Sequence, residues 1–291
     1  MTRPAAIAVF GYARPFFLSK TLTALEHCHG FRGQRVHVFC DAPSCEADLP
    51  GVEAAQMVAS AWCRRHAARF VPRATNLGLR NITEGMNELC SSEGMAISFE
   101  DDHLPAPRAL DFLDQALDRY QHDESVFQVS AYRPGRPMTG GPDMFFLPVP
   151  MPLGWGTWER AWTRFSWECA DAHSILASSV LRQSFNLDGA YPAATLLTEA
   201  LSGEFNSYFI RWYCAMFVAN AVALCARDSL VHNIGLGSGL HGHARSERKA
   251  RFHNGAWNPG AYVDEWTFPT TVEIDHNALA LLRDDLRMLV G

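Results

Sequence analysis

The sequence predicts an α/β protein with a mostly parallel sheet and helices on both of its faces. Short apolar runs alternate with amphipathic segments through the first half of the 291-residue chain, and this β-α-β-α order is typical of parallel sheets. In such sheets ligands bind beyond the carboxyl ends of the strands. The residues that follow each apolar run are therefore the first candidates for a functional site.

The elements of the first half follow from apolar periodicity and proline positions. A strand near 5–11 precedes a helix that begins at Pro15 and spaces its leucines helically. The run "RVHVFCDAP" predicts a second strand stopped by Pro43, and "RFVPR" predicts a short third one. The segment "NITEGMNELC" is helical in pattern, and it leads to the apolar strand "MAISF".

The second half is less regular. After an amphipathic helix and a strand at 126–132, the segment 134–167 is rich in glycine, proline and aromatic residues, which is typical of a substrate-shaping region or a loop. A helix is expected near 207–222, a glycine-rich and then basic loop near 235–256, and a closing helix at the carboxyl terminus.

Composition excludes several classes of protein. A formal net charge of -6 gives no support to nucleic-acid binding. The eight cysteines form no CxxC pair, so reduced thiols are expected. There is no signal-peptide pattern and no run near the roughly 20 apolar residues that a membrane span needs. We expect a soluble cytoplasmic protein with 1–291 as a single domain, and leave peripheral contact with the inner membrane open.

The strand "MAISF" runs directly into three carboxylates, Glu100, Asp101 and Asp102. Adjacent acids repel one another and are costly to bury unpaired, so a positive partner is expected beside them. Hard oxygen ligands suit Mg²⁺ or Mn²⁺, above all where the metal also holds a diphosphate. The alternative is a solvated turn whose acids cap the following helix.

The surrounding motifs resemble nucleotide-sugar-dependent glycosyltransferases of the GT-A fold. The ordered set is "SFEDDHLPAPRALDFLDQALDRY", then "VFQVSAY", then "FFLPVPMPLGWGTWERAW". It is similar to the N-acetylglucosaminyltransferase I type and to bacterial family 2-like sugar transferases. The resemblance implies a Rossmann-like GT-A domain in which Asp102 holds Mn²⁺ or Mg²⁺. It also implies that Glu100 and Asp101 orient that ligand or bind ribose hydroxyls of the donor.

Three upstream motifs extend the resemblance. "AVFGYARP" places Arg14 in the nucleotide-binding loop, "VFCDAP" places Asp41 at the uridine, and "TNLGLRN" places Arg80 facing the nucleotide. An arginine suits a diphosphate, and an aspartate accepts from a base or ribose donor. The alternatives are surface ion pairs for the two arginines and turn capping for Asp41.

The acceptor side is expected in the second half of the chain. The resemblance divides the domain into a nucleotide-sugar half at 1–133 and an acceptor half at 134–291, with the loop near 235–256 closing over the donor. Gly154 and Trp155 of "PLGWGTW" are the acceptor candidates, because glycine permits close approach and an indole face suits a sugar ring. Trp158 and Trp162 are expected in the core.

The catalytic base is where the sequence departs from its relatives. They carry an aspartate pair before a "W-hydrophobic-R" element, whereas "EFNSYFIRWY" has Ser207 and Tyr208 there. The remaining candidates for the base are Glu204, Asp228 and His241. The stereochemical outcome therefore stays open.

Two functions from different classes follow. The first is a metal-dependent transferase that moves a sugar from a nucleotide diphospho-sugar, expected to be UDP-linked, to a glycan or glycolipid in bacterial surface polysaccharide synthesis. The second is a catalytically silent sugar-nucleotide or glycan-binding subunit of the same fold, which the missing aspartate favours. A nucleotidyltransferase would want a glycine-rich phosphate loop, and "FGYARPF" is a poor one.

Overall fold

The computed structural model describes residues 3–236, 251–260 and 265–290. Within these ranges ten strands alternate with helices. The strands are β1 Ala6–Gly11, β2 Val36–Cys40, β3 Arg69–Pro72, β4 Met95–Glu100, β5 His103–Pro105, β6 Val126–Ser130, β7 Met144–Leu147, β8 Trp155–Trp158, β9 Val222–Ala226 and β10 Val231–Asn233. The helices are α1 Pro15–Glu26, α2 Leu49–His66, α3 Arg80–Glu93, α4 Ala109–Arg119, α5 Glu159–Trp162, α6 Ala172–Ala177, α7 Ser179–Phe185, α8 Ala193–Ser202, α9 Tyr208–Val218 and the C-terminal helix His276–Val290.

Eight of the strands form one mixed sheet in the order β3-β2-β1-β4-β8-β6-β9-β7. The first four are parallel, and so are β6 and β9, whereas β8 runs antiparallel between β4 and β6 and β7 runs antiparallel at the edge. Phe10 pairs with Glu100 and Gly11 pairs with Cys40. The carboxyl ends of β1, β2 and β4 therefore meet at one edge of the sheet.

Helices cover both faces of this sheet, as the sequence predicts. A Cβ atom on Gly85 of α3 would lie 2.6 Å from Phe10 Cε1, so α3 packs on the face to which Phe10 points. A Cβ atom on Gly11, the next residue, would lie 3.1 Å from Leu18 Cδ2 of α1. Successive strand residues point to opposite faces, so α1 and α3 lie on opposite sides. The predicted α/β class is confirmed.

The aromatic segment 134–167 is packed structure and supplies two strands, β7 and β8, that periodicity does not reveal. Trp162 stacks on Phe165 with ring centroids 4.8 Å apart, and it contacts Trp212 at 5.1 Å and Trp155 at 5.6 Å. Offset and tilted ring pairs of this kind stabilise the protein in addition to the stabilisation that comes from burying the aromatic surface. The prediction that Trp158 and Trp162 lie in the core is confirmed by their burial.

A second, two-stranded sheet pairs β5 with β10 in antiparallel register, with His103 opposite Asn233. The chain after β10 then donates from Ile234 N to the carbonyl oxygen of Asp102 over 2.9 Å. Sequence inspection does not reveal these two strands, because three residues are too few to show alternation. The pairing places 231–236 directly beside the acidic turn.

The part of the chain that the structure describes contains no helix long and apolar enough to cross a membrane. Its eight cysteines are all free thiols, and seven of them are buried.

The carboxyl group of Asp114 on α4 gives a pH-dependent term in stability. It accepts from Ala5 N over 3.3 Å and from the side-chain amide of Gln34, and its burial raises the pKa of Asp114 to about 6. When the pKa of a carboxyl group is higher in the folded than in the unfolded state, the protein loses stability as the pH rises from the unfolded-state pKa towards the folded-state pKa, here about 6. We expect Asp114→Asn to be more stable than wild type above pH 6 by about 1 kcal/mol.

The replacement amide also suits its neighbour. Gln34 Oε1 is buried without a hydrogen-bond partner among the described residues, and a rotated Gln34 amide would accept from the new Asn N–H. Urea unfolding at pH 5 and pH 8 measures the effect, with Asp284→Asn on the exposed face of the C-terminal helix as control. An Asp114→Asn protein no more stable at pH 8 than wild type would contradict the assignment.

Candidate active site

A single guanidinium group holds the acidic turn that follows β4. Arg14 lies just before α1, and its Nε and Nη2 donate to the two carboxylate oxygens of Asp101, with an Nε–Oδ2 distance of 3.2 Å. The third nitrogen, Nη1, lies 2.9 Å from Asp102 Oδ2. The positive partner that the sequence predicts is therefore Arg14, which lies between β1 and α1.

The backbone of the turn is anchored from two directions. Thr21 of α1 donates its hydroxyl to the carbonyl oxygen of Asp101 over 2.8 Å, and Ile234 N donates to that of Asp102. The guanidinium carbon of Arg14 lies 5.5 Å from the centre of the Phe17 ring, also on α1. The first helix thus fixes both sides of the ion pair, which limits the freedom of the turn.

His103, directly after the acids, is neutral at physiological pH. Its Nδ1 accepts from Glu100 N over 3.0 Å, so the ring proton is on Nε2, which lies 3.7 Å from Asp102 Oδ1. Burial is the main cause that lowers the pKa of His103 to about 4. The histidine therefore adds no positive charge to the turn.

The turn has more negative charge than Arg14 balances. Burial, followed by the charges of Asp102 and Asp101, raises the pKa of Glu100 to about 8. Burial also raises the pKa of Asp101 to about 6, although the guanidinium of Arg14 acts to lower it. Glu100 is mostly protonated at neutral pH, and the hydroxyl of Tyr208, the first residue of α9, lies close enough to act to lower the pKa of Glu100.

The chemistry of the turn fits a divalent cation that brings its own further ligands. Among the described residues no three histidine, cysteine or acidic side chains form a ready metal cage. Asp102 Oδ1 is the carboxylate oxygen that Arg14 does not take. Mg²⁺ and Mn²⁺ commonly bind through one or two carboxylates together with substrate phosphates, so Asp102 is the residue that would hold such an ion.

Asp41 fixes a loop. Its Oδ1 accepts from Ala42 N and Leu77 N, both over 2.9 Å, and its Oδ2 accepts from Gly78 N over 2.7 Å. These bonds are the turn-capping role that stood as the alternative for this residue. They tie the end of β2 to the loop before α3. A contact between Asp41 and uridine stays a prediction.

Arg80 is the first residue of α3 and directly follows the loop that Asp41 holds. It is exposed, and its guanidinium carbon is 4.8 Å from the centre of the Trp167 ring. Arg211 of α9 lies 4.9 Å from the same ring and donates to the carbonyl oxygen of Ser207 over 2.7 Å. Arg80 thus lies on the same side of the sheet as the start of α9, and its nucleotide contact stays a prediction.

The two acceptor candidates are structural residues. Trp155 is 1% exposed and packs on Trp162, so its ring has no face open to an acceptor sugar. Gly154 has φ 51° and lies where a Cβ atom would be 2.4 Å from Val231 Cγ2. Both residues have a packing role, because an indole that suits a sugar face suits an apolar interior equally well, and an acceptor contact at either one stays a prediction.

The candidates for the base are dispersed. Glu204 is exposed in the loop between α8 and α9, and Asp228 pairs with Arg227 over 3.4 Å after β9. His241 lies outside the described residues, as does most of the loop predicted near 235–256. Ser207 accepts from Ile210 N and caps α9, so it has a structural role.

Sequence reasoning did not assign functional roles to Tyr208 and Trp167. Tyr208 occupies a position where the N-acetylglucosaminyltransferase I pattern has an aspartate, which was the available signal, and it lies beside Glu100. Trp167 closes the aromatic segment, but its sequence position gives no sign of the two arginines around it. Tyr208 is buried beside the acidic turn, and Trp167 lies between α3 and α9.

Comparison with known proteins gives distant likenesses. No protein-family model and no curated protein sequence matches the chain. Among solved structures, S. aureus TarS 1-349 is similar with a TM-score of 0.43 and 11% identity, over 78% of this chain and 59% of that one. A cytidylyltransferase from Leptospira borgpetersenii serovar Hardjo-bovis (strain JB197) is similar with a TM-score of 0.30 and 12% identity, over 46% and 57% of the two chains. We rest no functional argument on likenesses of this size.

The close packing at Gly154 gives a stability prediction. We expect Gly154→Ala to destabilise the protein by about 2 kcal/mol or more, because both its φ and the contact with Val231 oppose a methyl group. Gly189 has φ 80° with no described atom within 4 Å of a Cβ position, so Gly189→Ala is the matched control and should cost about 1 kcal/mol. Equal losses in urea unfolding would show that packing at Gly154 is unimportant.

Proposed function

We propose that this protein is a glycosyltransferase whose donor, a nucleotide diphospho-sugar, binds at the carboxyl ends of β1, β2 and β4. The observation that supports this most directly is the ion pair of Arg14 with Asp101 and Asp102. A guanidinium is a preferred partner of a diphosphate, and it stands here beside acids that suit a divalent cation. Ligands of open α/β sheets bind at this edge.

The finer identity of the donor and acceptor belongs to the same proposal. The motifs around Arg14, Asp41 and Arg80 favour a UDP-linked sugar, with Mn²⁺ or Mg²⁺ held by Asp102. The acceptor would be a glycan or glycolipid of a bacterial surface polysaccharide. The half of the chain at 134–291 would bind it. A cytoplasmic enzyme in peripheral contact with the inner membrane would suit such an acceptor.

Each residue in and around the acidic turn would have its own role in binding the donor. Arg14 would bind the diphosphate, and Glu100 and Asp101 would orient Asp102 and the ribose. The metal, when bound, would neutralise charge that develops on the leaving diphosphate. The hydroxyl of Tyr208 would hold the Glu100 carboxyl group in place.

The acceptor hydroxyl needs a base, and Glu204 is the strongest described candidate for it. Glu204 lies on the α8–α9 loop, four residues before Tyr208, and it is exposed without a described ion pair. Asp228, in contrast, already pairs with Arg227. A base must be free to reach the proton that it removes.

A silent binding subunit is the second candidate function. It is favoured by one observation: Ser207 and Tyr208, at the position of the relatives' aspartates, are not carboxylates and are occupied in capping α9 and in contacting Glu100. Such a subunit would bind the donor in the same way and would release no nucleotide.

Donor binding is the first prediction of this proposal. Thermal melting against UDP, GDP, CMP and several UDP-sugars, each with and without Mn²⁺, should show a stabilisation by a uridine nucleotide that is larger with metal. At 100 times the dissociation constant the gain is about 2.7 kcal/mol. Asp102→Asn should lose the metal-dependent part, whereas Asp284→Asn should keep it. No shift with any nucleotide would refute a sugar-nucleotide site.

A measurement of sugar transfer distinguishes the glycosyltransferase from the silent binding subunit. We expect Glu204→Gln to slow nucleotide release in the presence of a panel of glycan acceptors by about 100-fold, with donor affinity unchanged, because it removes general-base assistance. Asp228→Asn is the matched comparison and should retain the wild-type rate. A wild-type rate in Glu204→Gln would remove Glu204 from the mechanism, and no release by the wild-type protein would favour the silent subunit.

A further inference from the structure

The carboxylate that would hold a metal is enclosed in this arrangement. Arg14 Nη1 lies 2.9 Å from Asp102 Oδ2, and His103 Nε2 lies 3.7 Å from Oδ1. A Cβ atom placed on Gly235 would lie only 2.1 Å from Oδ2 and 2.9 Å from Arg14 Nη1. The Oδ2 side of Asp102 is therefore filled by a guanidinium and by backbone, and no space is left there for a cation and its waters.

From this geometry, and resting on the proposed function, we infer that Arg14 is a resident cation that keeps divalent metal out of the acidic turn until the donor arrives. The diphosphate of the donor takes the guanidinium of Arg14, and Asp102 is thereby released for the metal. Metal and nucleotide then bind as a cooperative pair, whereas metal alone binds poorly.

Arg14 stays paired with an anion throughout the exchange, because its guanidinium leaves the carboxylates and binds the diphosphate. A guanidinium binds carboxylate and phosphate with the same bidentate geometry, so the diphosphate replaces what Asp101 and Asp102 supply. The side chain of Arg14 is 25% exposed, compared with 5% for Asp101, so an anion from solvent reaches the guanidinium first. The acids left behind are then free to take the cation.

The binding order follows from linkage. If donor and metal each compete with the same internal ion pair, either one raises the affinity for the other by an equal factor. The chain after β10 lies against the same group, since Ile234 N donates to the carbonyl oxygen of Asp102 and Gly235 packs on its carboxylate.

The test measures Mn²⁺ binding without nucleotide, from the electron paramagnetic resonance signal of free Mn²⁺. Wild type should bind Mn²⁺ weakly, and Arg14→Met should bind it about tenfold more tightly or better, within the usual range of such couplings. Arg14→Lys keeps the charge but bridges only one aspartate at a time, so it should also gain affinity. Adding Asp102→Asn to Arg14→Met should remove the gain.

Lys20→Met is the control for charge alone. Lys20 is on α1 near Arg14 in sequence, and its ammonium group lies over the Phe16 ring rather than at the acids. It should bind Mn²⁺ as weakly as wild type does. Tight Mn²⁺ binding by wild type, no gain in Arg14→Met, or an equal gain in Lys20→Met would each overturn the inference. If Arg14→Met does not fold, Arg14→Lys decides in its place.

A parallel titration with UDP in the presence of Mn²⁺ separates this inference from the proposed function. If wild type binds UDP with Mn²⁺ while the Arg14 variants gain no affinity for Mn²⁺ alone, the resident-cation role is wrong and the donor site stands. If wild type binds no nucleotide but Arg14→Met gains Mn²⁺ affinity, the ion-pair block is real and the donor proposal is wrong.

Discussion

The bridge from Arg14 to Asp101 and Asp102 is the interaction on which the candidate site depends. Three adjacent carboxyl groups at the end of a buried strand would repel one another and lose their hydration, at a cost that grows with burial. One guanidinium, 87 residues away in sequence from Asp101, offsets part of that cost. It reaches the acids because β1 and β4 are parallel neighbours, so their carboxyl ends lie side by side.

The antiparallel strand β8 helps to position α9 beside the acidic turn. It lies between β4 and β6, and it brings the aromatic segment into the middle of the protein, where Trp155 and Trp162 pack against Trp212 of α9. That packing sets the position of α9, whose first residue, Tyr208, then meets Glu100. The acids are thus held from one side by α1 and from the other by α9.

The sequence predicts the parallel half of the fold well because its signals are local. Apolar runs and prolines are enough to indicate β1, β2 and β4, and the acids after β4 are visible at once. The strands β7 and β8 escape prediction because their pairing with distant strands, rather than their own alternation, makes them strands. Among site residues, Asp41 and Trp155 show the remaining limit. Residue type says what a side chain can do, but the direction in which it points decides whether it meets a ligand or a neighbour.

The distinction between an enzyme and a silent binding subunit rests on a small part of the molecule. In both proposed functions the donor would bind at the edge of β1 and β4, beside Arg14 and the acids. Catalysis needs one more group that takes up the acceptor's proton, and neither residue at the expected position is a carboxylate: Ser207 caps α9, and Tyr208 lies beside Glu100. The exposed loop before α9 carries the carboxylate of Glu204, which lies outside that helix. If Glu204 is the base, it lies on a segment whose position the acidic turn does not control, whereas the proposed donor site is fixed by the sheet itself.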